Sequence, residues 1–427
     1  MSPHLLPFSF LLLLLLPTPS YLQQGLSFHV RKLAFSANQF GIDLYRALAH
    51  NEEGNVALCP FCVSSTLGMA LLGARGSTAL ALRHVLYLWG TPTQDLHLAV
   101  RDLTSHLALN LQPEPSRRRA LVEEDPDLVL FRSLYVQREY GLKYPYQRLL
   151  YDYYNVSVHS LDFVMNREEA RQHINAVIEK QTGGKVANLL PDTPPDFTNL
   201  LLLSGLYFEA TIDLDLRPAE DVQWKERPGK GRDASGEQLG GNPAMLEARW
   251  TRIRHGHHDY LNCTAVEVPL RGGLVSLLAL SPETQDAMPL LETRLSAQRL
   301  ADILTSMGVR RANLKLPRIK IEHSHDNLTG PLSRMGLGTL FLPGRAQLYS
   351  MSDVPWLHVT NLVHKTSLDL RGRNHAGSSS TRGNSSRPSY VGPSEETLEL
   401  VLNRPFLYFV VDNVSGLVIA MGKVVNP

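Results

Sequence analysis

The sequence carries almost no excess of either charge, with 42 Lys and Arg against 41 Asp and Glu and a net charge of +1. That balance argues against a global field for nucleic acid or a membrane surface. Beyond its first two dozen residues the chain has no run of 18 uninterrupted apolar residues, so no later membrane span is expected. A Gly-rich phosphate loop, a G-x-S-x-G elbow and an HExxH motif are all missing, so the sequence supports neither enzyme catalysis nor a cofactor. Cysteine is scarce, at three residues. Cys59-Pro60-Phe61-Cys62 is the one close pair, and Cys263 is left over, expected to be buried on its strand. A C-x-x-C at a helix start can mark a redox pair. No thioredoxin-like βαβ pattern surrounds it, which leaves two buried thiols or a small structural disulfide. His255, His257 and His258 lie close together without a Cys or acidic ligand at matching spacing. They read as a solvated hairpin end, and no metal is expected.

What the chain has is enough apolar content, 43%, to bury a large core. Leu5 to Leu16 is an apolar run followed by Pro17 to Ser20, a signal-peptide shape over residues 1–20 that is too short to span a membrane. A secreted, extracellular protein, monomeric and without a membrane span, is the expectation. Five Asn-x-Ser/Thr sequons suit that route: Asn155, Asn262, Asn327, Asn384 and Asn413. Asn384, in a polar loop, is the best acceptor, while Asn262 and Asn413 lie at strand ends. Arg117 to Arg119 and Lys225 to Arg232 form basic loops that could contact a glycosaminoglycan.

Periodicity gives the organisation. Helical spacing marks Leu33 to Leu48, Pro60 to Leu72, Thr78 to Leu88, Asp95 to Leu109, Asn166 to Thr182 and Leu291 to Met307. Leu128 to Val136 reads as a strand, and Leu200 to Phe208 is the near-continuous apolar run of a strand buried on both faces. Tyr260 to Leu270 and Leu274 to Leu280 read as a hairpin, and Leu400 to Leu402, Phe406 to Val411 and Leu417 to Met421 as closing strands, with a turn at Asn413 to Gly416. With no internal repeat and no clean linker, the pattern predicts one α+β domain over residues 21–427.

The order of these segments resembles the serpins, the serine protease inhibitor superfamily. Phe40 with Asp43-Leu44-Tyr45, the block Asn55 to Thr78, Thr264 to Leu280, Leu316 to Glu322, Leu332 to Phe341 and Arg404 to Pro427 carry the resemblance in sequence order. It implies about nine helices, a large central mixed sheet with further sheets, and an exposed reactive-centre loop at about residues 372–396. It also implies suicide inhibition of an extracellular serine protease, in which the cleaved loop inserts into the sheet as an extra strand.

The sequence departs from that pattern where insertion begins. The hinge reads Gly372, Arg373, Asn374, His375, Ala376, Gly377, where inhibitory members usually carry Glu at the place of Gly372, Gly at Asn374 and a small Thr or Ser at His375. An inward imidazole with unpaired polar atoms costs roughly 1–3 kcal/mol, and a penalty of about 1.4 kcal/mol in the barrier slows insertion tenfold. The loop is also several residues longer than usual. Its cleavage candidates are Arg387, followed by the disfavouring Pro388, and Arg382, which lies too near the hinge for full insertion. Under the sheet the resemblance implies two serines, an asparagine and a histidine. The matching places are Cys59, Cys62, Ser204 and His364. The expectation is a non-inhibitory or weakly inhibitory binding or carrier protein, with inhibition of a trypsin-like protease as the alternative.

Overall fold

A computed structural model describes residues 26–49, 52–111, 127–219, 221–225, 243–372 and 397–427. The proposed signal segment, Arg117 to Arg119, most of the Lys225 to Arg232 loop and the loop from Arg373 onward lie outside the described residues.

Two sheets and nine α-helices make up the described chain. The chain enters through α1 (Phe28–Ala49) and the short β1 (Val56–Leu58), then α2 (Pro60–Gly73). All fourteen residues of α2 are buried. A helix apolar all round belongs inside a core, and α2 packs on strands of both sheets. Next come α3 (Gly76–Val85), α4 (Thr93–Leu111), β2 (Asp127–Gln137), α5 (Tyr144–Tyr154), β3 (Val158–Leu161) and α6 (Arg167–Gln181).

The leucine-rich run becomes β4 (Leu200–Thr211), longer than expected by three residues and almost wholly buried. It lies in a five-stranded sheet whose order is β10 (Ile319–His325), β11 (Val359–Arg371), β4, β2, β3. That sheet is mixed: β11 runs parallel to β4, and β3 parallel to β2, while the other pairs are antiparallel. One face packs against α6 through Ala170, Ile174 and Ile178 on Leu201, Leu203 and Val363, a second core distinct from the main one.

The other sheet has nine strands. β5 (Arg217–Pro218), β6 (Met245–His258), β7 (Cys263–Pro269) and β8 (Val275–Pro282) precede α7 (Met288–Arg294), α8 (Ala297–Ser306) and β9 (Gly308–Pro317). After β10 comes the short α9 (Thr329–Leu332). The closing strands are β12 (Leu398–Val401), β13 (Phe406–Asp412) and β14 (Val418–Val424), with β12 at the edge beside β9.

Three sequence expectations need correction. Leu291 to Met307 is not one helix, because Leu295 and Ser296 are extended. Ser296 then caps α8 by accepting a hydrogen bond from the Arg299 N–H. Tyr260 stands in a single 3-10 turn rather than in the hairpin strand. His255 to His258 are not a solvated hairpin end but the last residues of β6, paired with β7, and only His257 is exposed.

Candidate functional site: the β4–β11 seam

The parallel pair β4–β11 runs in register from Leu200 and Val359 to Thr211 and Arg371, broken only by an irregularity at Thr360. At its upper end Arg371 Nη1 lies 2.6 Å from Glu209 Oε1 across the seam, and Arg371 Nε lies 3.1 Å from Asp369 Oδ2. The Ile212 N–H also donates to the Arg371 carbonyl at 2.8 Å. Gly372 is the last described residue before the loop. Arg373, Asn374, His375, Ala376, Gly377, the cleavage candidates Arg382, Arg387 and Pro388, and the sequon at Asn384 all lie outside the described residues.

Midway along the seam the sequence-predicted cluster comes together. Register places His364 opposite Ser204, and both are fully buried. The Cys59 N–H at the start of α2 donates to His364 Nε2 at 3.0 Å, which puts the ring proton on Nδ1 and aims it at Ser204 Oγ, 2.9 Å away. The Thr366 hydroxyl also lies 3.0 Å from Nε2. Cys59 and Cys62 form a disulfide, and Cys263 is a free, buried thiol. Of the two states left open for the C-x-x-C pair, the structure therefore has the small disulfide. Its Cys62 Sγ sits 3.4 Å from the Gly205 carbonyl of β4.

Sequence reasoning missed two neighbours. His325 on β10 pairs in register with His364, the two rings lie parallel with centroids 6.3 Å apart, and His323 stands 4.3 Å from His325. Burial holds the His364 ring well below the usual imidazole range, reinforced by His325. Burial, then the charge of His323, pushes His325 down to about 4. The alternation of His323 and His325 was visible, but register with a strand so much later in the chain was not. Arg132 was missed as well. It lies opposite Ser204 on β2, its guanidinium over the rings of Phe61 and Tyr154, donating to Thr104 Oγ1 at 2.9 Å.

The remaining predicted sites are scattered. Asn155, Asn327 and Asn413 are exposed and Asn262 is half-buried. The Asn413 amide is held by Ser276 and the Gly273 carbonyl. Asn327 Oδ1 accepts from both the N–H and the hydroxyl of its own sequon residue Thr329. Among the described residues no three His, Cys, Asp or Glu side chains are arranged to hold a metal, and no helix is long and apolar enough to cross a membrane.

Comparison with known proteins decides the family. The model of the serpin (serine protease inhibitor) family matches residues 35–427. The chain belongs to the serpins. The leukocyte elastase inhibitor of Bos taurus is 26% identical over 410 residues, covering 93% of this chain and all of that protein. Among solved structures, mouse protein Z-dependent protease inhibitor superposes with a TM-score of 0.78 at 20% identity, over 94% of this chain and 99% of the other. Human thyroxine-binding globulin, solved with its ligand, gives 0.75 at 20% identity, over 93% and 99%. These structural likenesses establish the serpin fold with its helices and mixed sheets. Within that fold the seam is closed: β4 and β11 are direct neighbours with no strand between them.

Proposed function

We propose that this serpin is a secreted glycoprotein that binds or carries a ligand and inhibits proteases weakly or not at all. The observation that carries the reading is the seam itself. Opening it breaks the His364–Ser204 bond in a fully buried site. In place of the two serine hydroxyls that the resemblance implies, the start of α2 carries the Cys59–Cys62 disulfide. A buried polar group that loses its partner without replacement is costly, so the sheet should resist a sixth strand. The unusual hinge residues Gly372 to Gly377 add to that resistance. Asn155 and Asn327, both exposed, are the described sequons best placed for glycan, and the basic loops remain candidates for glycosaminoglycan.

A second reading is a suicide substrate for a trypsin-like extracellular serine protease, cut at Arg382 or Arg387. It is favoured by the five-stranded sheet, in which β4 and β11 lie parallel on either side of the place an inserted strand would take. One experiment separates the two. The protein is incubated with trypsin, thrombin and a plasminogen activator, run on a denaturing gel, and its thermal unfolding is followed before and after loop cleavage. The binding reading expects cleavage with no covalent complex and an unchanged Tm. A denaturant-resistant complex, or a rise of tens of degrees after cleavage, would establish the inhibitor instead.

A further inference from the structure

Near the lower end of the seam, Asn361 on β11 is only 7% exposed. Its Nδ2 donates to the Asp326 carbonyl at 2.8 Å, and its Oδ1 has no partner among the described residues. A buried amide oxygen without a donor is uncommon, because it loses its hydrogen bonds to water and gains nothing in return. Asn361 is part of the wall of a cavity of about 90 Å³ beneath the connector that joins α6 to β4.

The donor–acceptor balance of that wall determines what would fit. The connector contributes Pro191, Pro194 and Pro195, which have no N–H to donate. Side-chain acceptors come from Asn361, Asp192 and Asp326, the last already accepting from the Ser324 hydroxyl; Thr193 adds one hydroxyl, and among the described residues no Lys or Arg lines the cavity. Arg171 feels the charge of Asp192 but is held by both Glu168 oxygens and by the Leu190 carbonyl. Leu201 and Val363 supply an apolar strip on the sheet side. The wall therefore asks for a group that donates several hydrogen bonds, accepts few, carries positive charge and has an apolar stem.

We propose that this cavity binds a protonated amine or guanidine on a short alkyl stem, its N–H groups meeting Asn361 Oδ1 and the two carboxylates. The same chemistry can come from a free small amine or from a Lys or Arg side chain of a partner protein. Leu201 and Asn361 are register partners across the seam, so an occupant touches β4, β11 and the connector together. Binding to the closed seam stabilises it by mass action. This inference does not depend on whether the serpin inhibits.

The test is isothermal titration and thermal unfolding of the full chain with agmatine and n-butylamine, against butyrate and 1-butanol. The two cations are expected to bind one per chain and raise the Tm, and the two controls to do neither. Asn361→Leu should weaken agmatine about tenfold, the loss of one hydrogen bond to a charged group. Asp192→Asn should weaken it about threefold, because that carboxylate is exposed, while Asn361→Asp should tighten it. If Asn361→Leu does not fold, Asp192→Asn and Asn361→Asp carry the test. A peptide with one central lysine that binds as well as butylamine assigns the site to partner side chains, and its failure assigns the site to free amines. No saturable binding of either cation, equal binding of butyrate, or an agmatine affinity unmoved by the variants overturns the proposal.

Discussion

His364 on β11 holds Ser204 on β4 through an Nδ1–Oγ hydrogen bond of 2.9 Å, in a site closed to solvent and capped by the Cys59 N–H. Like the Arg371–Glu209 pair, the bond links side chains across the seam, and cutting it leaves a buried polar group without that partner. Ser204→Ala should therefore lower stability by about 1–3 kcal/mol, the cost of an orphaned buried donor. His364→Ala should cost more, because it also strands the Cys59 N–H and leaves a cavity. Urea unfolding at constant m-value measures both. A loss below about 0.5 kcal/mol for Ser204→Ala would mean the bond contributes little to closing the seam.

The histidines around that bond set a pH dependence. In the fold His364 titrates well below the ordinary value, and burial takes His325 down to about 4. In the unfolded chain the same rings take up protons near pH 6.5. Between those limits the unfolded state binds more protons, so stability rises with pH. It is fully present above about pH 6.5 and declines as the pH falls toward about 4. Urea midpoints taken at steps through this window should fall steadily, and His325→Gln should flatten part of the slope. A midpoint that stays level would show that the rings take up protons in the fold as readily as in the unfolded chain.

The disulfide closes a very short loop at the foot of α2. In the chain-entropy account a loop of four residues is worth about 2 kcal/mol. Unfolding in urea without reductant should expose a single thiol, that of Cys263, to maleimide, and reduction should expose all three. The double variant Cys59→Ser, Cys62→Ser should unfold at lower urea by up to that amount. Three thiols labelled without reductant would leave Cys59 and Cys62 unpaired in the isolated protein.

How much of this was legible depended on how far apart the partners lie in the chain. Leu200 to Phe208 announced a strand buried on both faces, and the spacing of Ile174, Val177 and Ile178 announced the apolar side of α6. Those signals are local, and the structure keeps them except at Val177, which is only half-buried. The helix α5 went unread: its buried Tyr146, Leu150 and Tyr154 sit four residues apart, but five of its eleven residues are Tyr, a modest helix former, and Lys143 offers no side-chain cap. The strand β6 went unread because its irregular register at Ala248 and Thr251 and its outward arginines interrupt any alternation. At the site, the resemblance picked out Cys59, Cys62, Ser204 and His364. The C-x-x-C spacing allowed thiols or a disulfide, and only their geometry chose. His325, Arg132 and the Arg371–Glu209 pair depend on register between distant strands, which no local pattern records.

Gly205 offers the sharpest test of how tightly the seam is built. It follows Ser204 on β4 and lies opposite Lys365 on β11. A Cβ placed there would meet the Phe131 ring at 2.2 Å and the Lys365 carbonyl at 2.5 Å. The first contact would yield only to a rotation of the ring, and Phe131 is itself buried in the core under α6. The second is main chain of the neighbouring strand, so Gly205→Ala must push β11 away from β4. Overpacking of this kind costs about 1–3 kcal/mol. The variant should unfold at lower urea, and amides of β11 around Lys365 should exchange with solvent faster than those of β13, which lies in the other sheet. A uniform rise in exchange over both sheets would mean that the substitution weakens the whole domain and leaves the seam no easier to open than the rest.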